Sequence, residues 1–195
     1  VTLQPAAGAQ GELTGILMVR AYHESRGDSE RTEVLVPDSS HGTNPATATM
    51  AGYRTVTIPS APDGGVDLEA FRAALGPDVA LAAAMRANNE TGVLQPVEEV
   101  AKASRGRGAV VHTDAAQSVG KLPIDVRRLG VDLLSVAGHK LYAPKGVGAL
   151  YVRRGTTLHP LALGAGHEHG LRPGTENVAS IVGLGAACER ARQDL

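Results

Sequence analysis

Six short apolar runs, alternating with segments of helical periodicity, restrict the folds open to this chain more than any other feature. "EVLV" (33–36), "TVTI" (55–58), "VALAAAM" (79–85), "AVVHT" (109–113), "DLLSV" (132–136) and "VGALYV" (147–152) are mostly apolar throughout, as strands covered on both faces should be. Residues 11–27, 67–75, 96–105 and 177–193 carry apolar side chains at helical spacing. Asp67 suits a helix start through side-chain capping, and Pro96 through proline's fit to a first turn. This order implies an α/β fold, a mostly parallel sheet with helices on both faces. No repeat, low-complexity tract or linker interrupts it, so residues 1–195 read as a single domain.

Composition removes several function classes. With 195 residues, 43% hydrophobic, the chain can bury a substantial core. A net charge of -1, basic residues scattered among acids and 3% aromatics argue against a nucleic-acid partner. No apolar run approaches membrane-spanning length, and no leader pattern opens the chain, so neither membrane insertion nor export is expected. The lone cysteine, Cys188, excludes an internal disulfide framework and fits a reducing, cytoplasmic setting. It lies in the small-residue helical pattern "GLGAACERAR" and is expected to be a buried packing residue. The opening "VTLQPAAGAQ", without an initiator methionine, points to a fragment or a processed chain.

The unusual polar residues gather at one address. "DSSHGTN" follows the first apolar run, "ANNETG" the third, "TDAAQ" the fourth and "AGHK" the fifth. Open α/β sheets bind ligands beyond the carboxyl ends of their strands, where such loops converge. A metal centre is poorly served, because the densest histidine cluster, His167 to His169 in "HEHG", sets its ligands one and two residues apart. No Gly-x-Ser-x-Gly elbow supports a serine nucleophile. Lysine, aspartate, histidine and asparagine around one cleft suit pyridoxal 5'-phosphate. Its aldehyde needs a lysine, its ring nitrogen a carboxylate, and its phosphate a glycine turn at a helix start.

From about residue 80 onward, "ANNETGVLQP", "HTDAAQSVGK", "GHKLYAPKG" and "HEHGLRPGTENVASIVGLGAA" resemble the cysteine desulfurases, a class V aminotransferase branch of the pyridoxal-phosphate enzymes. Residues 1–80, through "PAAGAQGELTGILMVRAYHESRGD" and "VPDSSHGTNPATATMAGY", resemble instead the pyridoxal-phosphate-binding half of the glycine decarboxylase P-protein. Together they imply a composite of two related families, joined near residues 76–85, with the large-domain fold of fold-type-I enzymes and no small C-terminal domain.

The resemblance also implies roles. Lys140 would hold the cofactor covalently, its amine partly neutral in a desolvated site, with His139 beside it. Asp114 would pair with the ring nitrogen, Gln117 would reach the phenolic oxygen, and Asn89 the same side of the ring, with Asn88 left as a capping residue. His41 would stack on the ring face. The turn at residues 7–15, through Ala9, Gln10 and Gly11, would cradle the phosphate, and Thr175 would reach the phosphate of a neighbouring subunit, which implies a homodimer. Lys140, His41 and His139 are thus the expected catalytic side chains, and no metal is expected. Two positions depart from the desulfurase pattern: Ala137 stands where a serine is common, and His169 where an arginine is usual. The resemblance places the sulfur-accepting cysteine and the small domain beyond residue 195. The expected substrate is an amino acid, L-cysteine first and glycine second, with a catalytically incomplete scaffold as the remaining alternative.

Overall fold

The computed structural model describes residues 8–160 and 162–195; the opening "VTLQPAA" lies outside the described residues. Six strands, β1 (Glu33–Pro37), β2 (Arg54–Ile58), β3 (Val79–Met85), β4 (Val110–Asp114), β5 (Leu133–Ala137) and β6 (Gly148–Val152), form one sheet in the order β2-β1-β3-β4-β5-β6. All neighbours pair in parallel except β6, which runs antiparallel to β5 at the edge. Strands from both family-like parts therefore share one sheet, with β1 hydrogen-bonded directly to β3.

Each face of the sheet has its own helical cover. Ile16 of α1 (Gly8–Arg26) and Ala48 of α2 (Thr43–Met50) pack with Val34, Val36, Leu81 and Ala83 of β1 and β3. On the other face, Phe71 of α3 (Leu68–Ala74), Val97 and Val100 of α4 (Val97–Ser104) and Leu129 of α5 (Val126–Leu129) pack with Leu35, Ala82, Val111 and Leu134. Every residue of β3 is buried, which explains its uninterrupted apolar sequence. Asp67 caps α3 by accepting from the backbone N–H groups of Glu69 and Ala70. Pro96 directly precedes α4, one residue ahead of the first-turn position expected for it.

Two expectations need correction. Residues 8–15 are already the first two turns of α1, so no separate glycine turn exists there; Gly15 instead brings the helix onto Leu133 and Leu150 of the sheet. Cys188 is exposed, because α6 (Val178–Asp194) buries only Leu184 and lies on the surface of the domain rather than within it.

One polar pair is sealed between strands. His112 of β4 is 1% exposed, with Nε2 2.8 Å from Ser135 Oγ of β5. Burial pushes its pKa down to about 4, so it folds as a neutral ring. The unfolded chain binds the proton more readily than the native one, so stability falls as pH drops from about 6.5 through about 4, by about 1.4 kcal/mol per unit. His112→Gln should flatten this acid limb in thermal melts. An unchanged slope would show that His112 does not carry it.

Candidate active site

The loops leaving β1, β3, β4 and β5 at their carboxyl ends meet the amino end of α1 around a cleft of about 220 Å3. Their shared origin is visible in the register: Met85 of β3 lies opposite Asp114 of β4, and Asp114 opposite Ser135 of β5. Of the residues expected from sequence, His41, Asn89, Asp114, Gln117, His139, Lys140 and Ala9 all line this cleft. Gln10 and Gly11 do not line it, since the helical path turns Gln10 to solvent and Gly11 into the protein interior. Thr175 is exposed in the loop before α6 and also lies outside the cleft lining.

Asp114 sits at the centre. Its Oδ1 accepts a 2.8 Å hydrogen bond from the Ala116 backbone N–H, which fixes the carboxyl at the strand end. Burial raises its pKa, while the Ala116 N–H and the nearby charges of His41 and Lys140 favour the ionised form. The site thus holds a carboxylate paying a desolvation cost, which a cationic group in the cleft would relieve.

Lys140 comes from the 3-10 turn Gly138–Leu141, which packs Gly138 and Leu141 inward and leaves His139 and Lys140 exposed at the rim. Gly138 is required there, since a Cβ would lie 2.6 Å from the Val147 carbonyl oxygen. The desolvation expected for the lysine amine is not supplied by the protein's own atoms, because this tight turn cannot bury its two long side chains.

His41 stands opposite. Its Nδ1 accepts from the Thr43 backbone N–H at 3.2 Å and lies 2.8 Å from the Thr43 hydroxyl, while Asn44 N–H donates to the His41 carbonyl. From the β3 side, Asn88 ties the neighbouring loops together: its Oδ1 accepts from the N–H groups of Glu90 and Thr91, and its Nδ2 donates to the Ser39 carbonyl. Asn88 thus caps its own loop, while Asn89 lines the cleft.

Gly8, Thr43, Met85, Ala116 and Ala137 complete the lining. Only Ala137 was singled out by the sequence; Gly8 and Thr43 carry a signal in the small and hydroxyl residues that open α1 and α2. A Cβ on Gly8 would meet Ala116 Cβ at 3.2 Å and project toward Asp114 Oδ1 at 3.9 Å. The helix start thus approaches the carboxylate across a gap that a side chain would fill. Helix-terminal N–H groups, a buried carboxylate, a ring-bearing histidine and a reachable amine are the donor set that pyridoxal phosphate requires, so the residues present fit that group. Among the described residues, no group of three or more His, Cys, Asp or Glu could hold a metal ion, and no helix is long and apolar enough to cross a membrane.

The sequence pattern of the aminotransferase class-V family matches residues 15–194, and the chain belongs to that family. It is 52% identical over 142 residues to the cysteine desulfurase NifS of Azotobacter vinelandii, covering 73% of this chain and 35% of the relative. With a cysteine desulfurase of Bradyrhizobium diazoefficiens, identity is 43% over 193 residues, 97% of this chain and 48% of the relative. A solved NifS-like protein superimposes with a TM-score of 0.89 at 33% identity, covering 99% of this chain and 53% of its own. The chain thus spans between a third and a half of the length of the curated relatives it matches. These matches extend across residues 76–85 and support the desulfurase resemblance; they lend no support to the glycine decarboxylase likeness of residues 1–80 or to a junction.

Asn88→Ala removes three hydrogen bonds that hold the loops in place and should lower stability by about 1–3 kcal/mol in denaturant unfolding. A change within about 0.5 kcal/mol would mean that the loops are held by other contacts.

Proposed function

We propose that this chain is the cofactor-binding core of a pyridoxal-phosphate enzyme of cysteine desulfurase type, acting on L-cysteine to release alanine and pass on its sulfur. The observation that carries the reading is the meeting of Lys140, Asp114 and His41 with the amino end of α1 in one cleft. L-cysteine is favoured over glycine because the matched relatives are cysteine desulfurases.

When bound, pyridoxal phosphate supplies an electron sink conjugated to the substrate's α-carbon. The N–H groups at the start of α1, around Gly8 and Ala9, bind its phosphate, with the helix dipole favouring the anion. Asp114 holds the proton of the ring nitrogen, and in doing so offsets its own burial cost. Lys140 would hold the cofactor through its amine, and the same amine would be the group placed to move the substrate's α-proton. His41, held by Thr43, packs against the ring and orients it. Gln117 and Asn89, which line the cleft, would donate to the phenolic oxygen of the bound ring, and His139 at the rim would stand beside Lys140 as the further catalytic side chain. Ala137 contributes no hydroxyl to the phosphate, a loss on the order of 1.5–3 kcal/mol for a bond to a charged group, so cofactor affinity is modest.

Residues 1–195 act as a single unit in this reading. Thr175, exposed and outside the cleft lining, is the residue that reaches the phosphate of a second copy in a homodimer. The lone cysteine accords with a cytoplasmic protein.

Titration of the protein with pyridoxal phosphate should produce a visible absorbance band that Lys140→Ala abolishes while the far-UV circular dichroism stays unchanged. Asp114→Asn should keep the band but weaken binding by roughly tenfold to a hundredfold, the loss of one charged partner. A full band in Lys140→Ala would remove the lysine from its role, and equal affinity in Asp114→Asn would remove the aspartate.

A further inference from the structure

Beneath the cleft, α1 carries a carboxyl group that the roles above leave unused. Glu12 is 0% exposed, on a helix face otherwise built of Gly8, Gly11, Gly15, Ile16 and Val19. Its Oε1 accepts a hydrogen bond from Asn44 Nδ2 in the first turn of α2, and Asn44 is itself 2% exposed. The remaining polar atom of each side chain, Glu12 Oε2 and Asn44 Oδ1, is buried without a hydrogen bond. An ionised Glu12 would leave two buried acceptors unsatisfied in one contact, since the neighbouring hydroxyls are engaged elsewhere, Thr47 on the Asn44 carbonyl and Thr43 beside His41 Nδ1, and this is an expensive arrangement.

A single proton satisfies both atoms. Placed on Oε2, it converts Glu12 to a carboxylic acid that gives its O–H to Asn44 Oδ1 while the amide N–H continues to serve Oε1. The result is a reciprocal acid–amide pair with no group unsatisfied. Burial pushes the Glu12 carboxyl up to about 7, and the Asp114 carboxylate adds to the rise; Asn44, Thr43 and Thr47 partly offset it. Few other charges bear on it. The sequences of α2, β3 and β5 contain no ionisable side chain, β6 contains only Tyr151, and β4 contains His112 and Asp114. His41, before α2, and Lys140, after β5, act on Asp114 across the cleft.

We propose that Glu12 and Asn44 form a proton-dependent clasp, in which the neutral acid pairs with the amide, fixes the His41–Asn44 turn over the cleft, and leaves Asp114 as the carboxylate that faces the ligand. Asn44 transmits the restraint through its backbone N–H on the His41 carbonyl, 2.9 Å away. Loss of the proton removes the half of the pair that runs from Glu12 Oε2 to Asn44 Oδ1, leaves only the amide N–H on Oε1, and sets a second anion beside Asp114. Glu12 is a positioning residue in this arrangement. Its link to the ligand rests on the pyridoxal-phosphate reading, whereas the clasp itself does not.

The test is the thermal stability of the cofactor-free protein from about pH 5 to about pH 8, compared with Glu12→Gln. Glutamine offers an N–H in place of the acid O–H and cannot titrate. Native Glu12 keeps a proton that the unfolded chain gives up above about 4.5, so wild-type stability is lost as pH rises through about 7. The melting temperature of Glu12→Gln should therefore gain on that of the wild type across this window by roughly 5 to 10 °C and then level off. Infrared spectra at the acid end should show a protonated-carboxyl band that the variant lacks. Parallel melting curves, absence of that band, or a Glu12→Gln protein unfolded at every pH would each overturn the clasp. The growing melting difference in a protein that binds no pyridoxal phosphate would uphold the clasp and overturn the cofactor reading instead.

Discussion

Parallel pairing of four adjacent strands is the constraint on which the rest of this molecule depends. Because β1, β3, β4 and β5 run the same way, every loop that leaves their carboxyl ends emerges on the same side of the sheet. A residue placed just after one strand is then a neighbour of residues that are distant in sequence. His41, Asn89, Asp114 and Lys140 need no long-range recognition of one another, because the hydrogen-bond ladder brings them together. The ladder in turn requires apolar cover on both faces, which α1 and α2 supply on one side and α3, α4 and α5 on the other.

Electrostatics gives the cleft its direction. At one end stands the start of α1, whose dipole suits an anion; at the other stands Asp114, a carboxylate made costly by burial and suited to a cation. A ligand that carries a phosphate and a protonated ring nitrogen answers both. Gly8 allows the two ends to approach, since any larger residue would occupy the space between Ala116 and Asp114.

The strands and most of the site were legible in the sequence for a physical reason. Strands buried on both faces leave no ambiguity of pattern, so β3 is found at its full extent; the others fall within a residue of theirs, including the edge strand β2, which buries only Ile58 and is not covered on both faces as its reading assumed. Lys140, Asp114, His41, Asn89, Gln117 and His139 follow from their strand-end addresses and from the resemblance of their motifs. The misses are equally specific. Helix α2, "TNPATATM", buries Asn44, Thr47 and Ala48 and so has no apolar stripe to announce it. The glycines of residues 8–15 suggested a turn, yet they serve close packing of a helix on the sheet. Cys188 looked buried because its neighbours are small, although of α6 only Leu184 is buried and Cys188 itself is exposed. Glu12 carried one usable signal: it falls four residues after Gly8 and four before Ile16, on the helix face turned inward.

The account stands or falls on the chemistry of one lysine among the four in the sequence, Lys102, Lys121, Lys140 and Lys145, of which only Lys140 lines the cleft. Borohydride reduction of the protein loaded with pyridoxal phosphate, followed by peptide mapping, measures where the label resides. The account predicts a single labelled peptide containing Lys140. Label distributed over Lys102, Lys121 and Lys145, or none at all, would contradict it.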